Sequence, residues 1–266
     1  MNAPAPPTAP PRPGDSYVQS FARGLSVIRS FSASTPSQTL ADVARRTGLT
    51  RAGARRILLT LEQLGYVEAE GRQFRLTPRI LDLGFAYLSS LPLWNLAEPV
   101  MEALVEQVKE SCSAAVLDGS DIVYVLRVPT HKIMSINLGT GSRLPASCTS
   151  MGRVLLAGLA PDELLRRLQA TAPHPAHTAR TLTAPEALAT AVDEVRRQGW
   201  CLVDQELEDG LVSLAAPIVD RAGRTIAALN ISGQAHRTPP ALMQERFLPK
   251  LREAAAQISQ LLRMKS

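Results

Sequence analysis

A chain of 266 residues exceeds the roughly 100–200 residues of an ordinary domain, so two modules with separate cores are the first expectation. Hydrophobic residues make up 45%, charged residues 20% and aromatic residues only 4%, a globular composition that predicts aliphatic cores. The net charge of +5 is lodged at one end: ten arginines face six acidic residues between Asp15 and Leu91, while 18 basic and 18 acidic residues balance from Pro92 onward. A basic module joined to a neutral one points to a polyanion partner for the first, unless the charge only solvates a surface.

No apolar run reaches the roughly 18 residues of a membrane span, and the opening residues lack the apolar stretch of a signal peptide. The expectation is a cytoplasmic, nucleoid-associated protein with no membrane partner. Cys112, Cys148 and Cys201 are odd in number and far apart, which suits reduced thiols better than a disulfide framework.

Residues 1–14 hold six prolines and no apolar period, the composition of a disordered tail. A helix is predicted from Val18 to Phe31, with Val18, Phe21, Leu25, Ile28 and Phe31 three or four apart. Thr39 caps a second helix that ends at Gly48, and Thr50 caps a third that runs to Leu64 and stops at Gly65. On that third helix Ala54, Ile57, Leu58, Leu61 and Leu64 share an apolar arc, while Ala52, Arg55, Arg56, Leu59 and Gln63 face the other way. Two alternating segments around Glu70-Gly71, with Arg72 near the tip, read as a wing. Residues 15–77 therefore read as a winged helix-turn-helix.

A linker helix is predicted over residues 78–91, opened by Pro78 and broken by Pro92, and a longer helix from Trp94 to Glu110. In residues 92–266, strand-like runs cover Ser113–Asp118, Ile122–Val128 and Ile133–Leu138, with Asp118-Gly-Ser-Asp as a hairpin turn. Helices follow at Ser150–Leu159, Pro161–Gln169 and Pro185–Gln198, then strands at Trp200–Val203, Val212–Val219 and Thr225–Ser232, and a closing helix from Pro239 to Met264. The pattern is α+β: a DNA-binding winged helix-turn-helix, a linker helix, and a mixed α/β sensor domain with a largely antiparallel sheet.

Residues 45–56 carry five arginines and no acid. An arginine can bridge guanine O6 and N7 or pair with phosphates, and a hydroxyl at a helix start can meet a phosphate. Double-stranded operator DNA is the expected partner, held by Thr39, Thr50, Arg51, Ala52, Arg55, Arg56 and, from the wing, Arg72. A three-helix packing module with a solvated face is the bland alternative. Leu59 on the outward face is left to pack against the wing or a partner subunit.

Ser147, Thr149 and Ser150 gather just before a helix start, where unpartnered N–H groups attract a carboxylate. Arg143 either adds a charge-assisted pair to such an acid or serves a structural ion pair. The acidic run Asp204-Gln-Glu-Leu-Glu-Asp follows a strand; its carboxylates face ligand hydroxyls, repel a wrongly oriented acid, or form a solvated loop.

The opening Tyr17-Val-Gln-Ser-Phe-Ala-Arg-Gly-Leu, the stretch Thr39-Leu-Ala-Asp-Val-Ala-Arg-Arg-Thr-Gly-Leu-Thr-Arg and Leu61-Glu-Gln-Leu-Gly-Tyr-Val resemble IclR-family regulators. The likeness continues through Arg143-Leu-Pro-Ala, Gly152-Arg-Val-Leu-Leu-Ala, Leu214-Ala-Ala-Pro-Ile and Ala227-Ala-Leu-Asn-Ile-Ser, and spans about residues 16–263. The resemblance implies a homodimer or tetramer on a palindromic operator and a GAF-like effector domain without a cofactor or metal. It implies an effector pocket built from the loop through Met151 and Gly152 together with Asp204, Glu206, Ser213, Asn230 and Ser232; Ser213 stands where many relatives carry cysteine. Ser135-Ile-Asn-Leu-Gly-Thr-Gly-Ser-Arg-Leu-Pro-Ala looks most like the subgroup controlling protocatechuate, 4-hydroxybenzoate and β-ketoadipate catabolism. That implies an aromatic acid or β-ketoadipate-like effector and, for an activator, contact with RNA polymerase; a repressor of another small-acid operon is the alternative.

An enzyme is not expected, since Gly-x-Ser-x-Gly, His-Glu-x-x-His and a Gly-rich phosphate loop are all missing. His174 and His177 have a spacing compatible with a metal but no evident third ligand. Cys148, close to a helix start, is the basis of a rival redox-sensor reading.

Overall fold

The computed structural model describes residues 17–90, 93–130 and 138–265. The expected tail at 1–14, the break at Leu91-Pro92 and residues 133–137 of an expected strand lie outside them. The chain divides into two compact units, one ending at Tyr87 and the other beginning at Leu88.

The first unit runs α1 (Gln19–Arg29), β1 (Ser37–Thr39), α2 (Leu40–Thr47), α3 (Arg51–Gln63), β2 (Val67–Glu70) and β3 (Gln73–Leu76). A 3-10 turn (Pro78–Ile80) then leads into α4 (Leu81–Ser90), which crosses the division between units. The Asp42 N–H donates to Thr39 Oγ1 and the Thr39 N–H to Asp42 Oδ2, each at 3.2 Å, so a reciprocal cap starts α2. Gly48, at φ 68°, turns the chain left-handed at the end of α2, and the Gly53 N–H donates to Thr50 Oγ1 at 3.1 Å to start α3. Val27, Phe31, Val43, Ala54, Leu58, Leu61 and Val67 form the core, each worth about 1.5–3 kcal/mol of burial for the larger side chains. The wing strands β2 and β3 pair antiparallel, and β1 adds a third strand against β3. Sequence reading missed β1, because three residues are too short to show alternation.

The second unit runs α5 (Leu93–Val108), β4 (Ser111–Asp118), β5 (Asp121–Val128), β6 (Arg143–Pro145), α6 (Ser150–Ala157), α7 (Pro161–Ala170) and α8 (Pro185–Gln198). It continues with β7 (Cys201–Asp204), β8 (Leu211–Val219), β9 (Thr225–Gln234), α9 (Pro240–Leu242), a π turn (Met243–Phe247) and α10 (Leu248–Lys265). The sheet order is β6-β5-β4-β9-β8-β7, with every neighbouring pair antiparallel.

Both faces of this sheet are covered, which is why its central strands read as apolar runs. Cys112, Ala114, Leu214, Leu229 and Ile231 pack with Met101 and Leu104 of α5 and Leu251 and Ile258 of α10. On the other face Ala115, Tyr124, Ala215 and Ala228 pack with Met151 and Leu155 of α6, Leu164 of α7 and Leu188 of α8. The single closing helix expected from sequence is instead interrupted by the π turn. Pro249, second in α10, has no N–H to extend an α ladder, and the widened turn before it accommodates the ring.

Candidate DNA-binding surface and effector cavity

On α3 the apolar stripe Ala54, Leu58 and Leu61 is buried, which leaves Arg51, Ala52, Arg55, Arg56 and Leu59 exposed. Arg72 is exposed at the wing tip beside Gly71, whose φ of 62° makes the turn. Thr50 is exposed at the start of α3, and Thr39 is half-buried in its capping box. Hydrogen bonds from Thr39, side chain then backbone, and the Arg45 guanidinium hold the Asp42 carboxyl below the usual carboxylate range. Leu59 touches no core and stays exposed, as does Leu64 after the end of α3.

In the second unit a concave space of about 480 Å³, including its open mouth, lies between the sheet and the start of α6. Most of that space is the mouth; the enclosed cavity volume is about 30 Å³, room for a water molecule or two. Thr149, Ser150, Ser213, Asn230 and Ser232 converge on it. The strand register aligns the last three: Ser213 sits opposite Ser232, and Ser113 opposite Asn230. Asn230 Nδ2 donates to Ser213 Oγ at 3.1 Å and to Ser232 Oγ at 2.8 Å, and Ser150 Oγ lies 2.6 Å from Ser213 Oγ. Thr149 Oγ1 donates to the Pro145 carbonyl at 2.9 Å and accepts from the Gly152 N–H at 3.2 Å, which fixes the first turn of α6 at the cavity wall.

The remaining effector candidates lie elsewhere. Arg143 is exposed and spans the β4–β5 hairpin, donating to Asp118 Oδ2 at 2.7 Å and Asp121 Oδ2 at 3.2 Å; these bonds, Asp118 first, raise its pKa above the ordinary arginine value. Of its two expected uses, the structural ion pair is the one formed. Ser147 contributes its carbonyl, which accepts from Arg153 Nε at 2.9 Å. Met151 is core. Gly152 owes its identity to close approach: a Cβ there would fall 2.1 Å from the Ala146 carbonyl oxygen. Asp204 is ion-paired with Arg180, and Glu206 is buried in a bidentate pair with Arg153 at 2.6 and 2.5 Å while also accepting from the Leu182 N–H at 3.1 Å. Within the acidic run Glu206 thus forms a buried latch, while Asp204 and Glu208 are half-buried and Asp209 is exposed.

Sequence reading missed Tyr124, Arg127, Leu138, Leu144, Cys148, Val203, Leu207 and Leu211, which also line the cavity. The one available signal was Arg127, a lone cation inside the strand run Ile122–Val128. Burial pushes the Cys148 thiol up to about 11, despite the opposing charge of Arg153, so the thiolate that redox sensing needs is scarce at neutral pH. His174 is buried with Nε2 3.1 Å from the Leu168 carbonyl, and among the described residues no group of three His, Cys, Asp or Glu side chains could hold a metal. Nor is any helix among them long and apolar enough to cross a membrane.

A winged helix-turn-helix with an exposed cationic helix, on the same chain as a sensor fold with a polar-lined cavity, defines the class: a ligand-responsive DNA-binding regulator. The IclR helix-turn-helix domain model matches residues 20–71, and the model for the C-terminal part of the bacterial transcriptional regulator IclR matches residues 85–260. The chain belongs to the IclR family of bacterial transcriptional regulators.

It is 45% identical over 240 residues to the Pca regulon regulatory protein of Pseudomonas putida, covering 90% of this chain and 82% of that one. The p-hydroxybenzoate hydroxylase transcriptional activator of Acinetobacter baylyi is 33% identical over 252 residues, 93% of each chain. A crystal structure of an IclR homolog from Microbacterium hydrocarbonoxydans in complex with 4-hydroxybenzoate superposes with a TM-score of 0.80 at 28% identity, covering 93% of this chain and 100% of the other.

Proposed function

We propose that this protein regulates aromatic-acid catabolism, acting as an activator whose DNA binding or polymerase contact responds to protocatechuate, 4-hydroxybenzoate or β-ketoadipate. The observation that carries the reading is the cavity on the α6 face, lined by a hydrogen-bonded polar cluster of Ser150, Ser213, Asn230 and Ser232 and by leucine and valine side chains. An aromatic or dicarboxylic acid needs such a combination of apolar walls and fixed polar groups. The Pseudomonas relative's regulation of the Pca regulon, the Acinetobacter relative's activation of p-hydroxybenzoate hydroxylase and the 4-hydroxybenzoate bound by the Microbacterium homolog support the same ligand class.

In this reading Thr50, Arg51, Ala52, Arg55 and Arg56 enter the major groove, Thr39 sits at the phosphate backbone and Arg72 of the wing reaches the flanking groove or backbone. The protein works as a homodimer or tetramer on a two-fold operator. Support comes from Val18, Phe21, Leu25, Leu81, Leu83 and Phe85, large apolar side chains left exposed in the first unit, a feature that marks interaction surfaces. Effector binding changes DNA affinity by linkage, since a ligand that prefers one arrangement of the dimer shifts its population.

Fluorescence anisotropy with the chain's own upstream DNA, titrated with the three acids at fixed salt, tests this reading. Specific binding altered by one of them is expected. Binding no tighter than to random DNA removes the regulator assignment for that site, and specific binding indifferent to all three removes the ligand class.

A further inference from the structure

Arg127 is the one cation among the described residues that line the cavity. Its position there depends on an irregularity in β5. Simple alternation from Tyr124 would turn Leu126 toward the cavity and send Arg127 into the apolar core beneath α5 and α10. Instead the register slips: Ala115 pairs with Tyr124 and Ala114 with Leu126, leaving Val125 as an extra residue. This bulge reverses the alternation. Val125, Leu126 and Val128 join the α5 and α10 core, and Arg127 comes to lie on the cavity face with Tyr124.

The guanidinium then ends a polar row that crosses four strands. Arg127 Nη1 lies 3.4 Å from Ser113 Oγ, the Ser113 N–H donates to Asn230 Oδ1 at 3.0 Å, and Asn230 Nδ2 reaches the Ser213 and Ser232 hydroxyls. Ser213 in turn meets Ser150. The walls beside this row, Leu138, Leu144, Val203, Leu207 and Leu211, are apolar. Burial pushes the Tyr124 phenol up to about 12, opposed by the charge of Arg127, so it is a neutral group next to the cation.

We propose that Arg127 fixes the effector's carboxylate, and that the cluster of Ser150, Ser213, Asn230 and Ser232 takes the polar group at the ligand's other end. The cavity then selects an acid carrying a second polar group across an apolar body. A charge-assisted, forked contact to a carboxylate is the strongest single interaction such a site can offer. The inference rests on the aromatic-acid reading above and adds the residue that sets orientation and charge selectivity.

Isothermal titration of the full-length protein tests it, with 4-hydroxybenzoate, protocatechuate and β-ketoadipate as probes. Each acid that binds is compared with its neutral amide in wild type, Arg127→Gln and Arg127→Lys. Wild type is expected to prefer the acid by about tenfold or more, the size of one hydrogen-bonded charge. Arg127→Gln should lose that factor for the acid and change amide binding by less than about threefold, and Arg127→Lys should recover part of the loss. Unchanged acid binding in Arg127→Gln, or equal losses for acid and amide, overturns the carboxylate role and leaves the ligand class standing. If Arg127→Gln does not fold, wild type alone decides: no preference for acid over amide overturns the proposal. Binding of none of the three acids to wild type overturns the ligand class and this inference together.

Discussion

In the N-terminal unit Arg51, Ala52, Arg55 and Arg56 stand exposed on the face of α3 opposite its buried stripe, whereas in the C-terminal unit Ser150 and Asn230 are buried between a sheet and a helix. The first set bears no structural duty, so side-chain identity there is free to follow DNA. The second set also satisfies its own hydrogen bonds, with Ser213, Ser232 and Asn230 bonded to one another, and Gly152 and Glu206 beside it are fixed by packing and an ion pair. On the proposed roles of these residues, binding and stability separate in one unit and overlap in the other.

The largest test of that contrast is Arg153→Met. It strands the buried Glu206 carboxylate with the Leu182 N–H as its remaining donor, and should cost about 3–5 kcal/mol in denaturant unfolding of the effector unit. Adding Glu206→Leu should restore most of the loss, because an apolar pair needs no desolvated charge. A loss under about 1 kcal/mol would mean that the latch is solvated and that the two units differ less than their burial suggests.

On the exposed side, Arg55→Ala and Arg56→Ala should each weaken operator binding by about 1–3 kcal/mol in anisotropy titrations where the side chain reads a base. A phosphate contact would instead show as a salt slope reduced by about one. Stability should move by less than about 0.5 kcal/mol in either case, since both side chains are exposed. A larger drop would erase the separation of binding from folding in this unit.

The smallest effect belongs to Thr39→Ala, which removes the cap of α2 and should cost the first unit about 1 kcal/mol at neutral pH. Thr39 also holds the Asp42 carboxyl below its usual range. A carboxyl lowered on folding stabilises fully above its unfolded value of about 4, and that contribution is lost as pH falls through the lowered value. The gap between wild type and Thr39→Ala should therefore narrow on acidification, in urea unfolding followed from pH 7 to below pH 3. A constant gap would assign the effect to the hydroxyl's bond with the backbone alone.

Most of the fold was legible in the sequence. Thr39, Gly48, Thr50 and Gly65 mark helix ends through hydrogen bonds and left-handed backbone that act within a few residues, and the α3 stripe follows from a period the chain repeats on its own. The cavity was half legible. Ser150, Ser213, Asn230 and Ser232 were named by likeness to a family, but Arg143 and the carboxylates of Asp204 and Glu206 could not be placed, because their partners Asp118, Arg180 and Arg153 lie 24 to 53 residues away or on other elements.

By itself, then, the sequence determined the two-module plan, the cationic helix and the order of strands and helices, since periodicity, caps and charge are local and additive. Only the tertiary structure decided which face of β5 carries Arg127. A single extra residue, Val125, inverts an alternation whose apolar letters read the same either way, and that choice is made by pairing with β4, not by β5 alone.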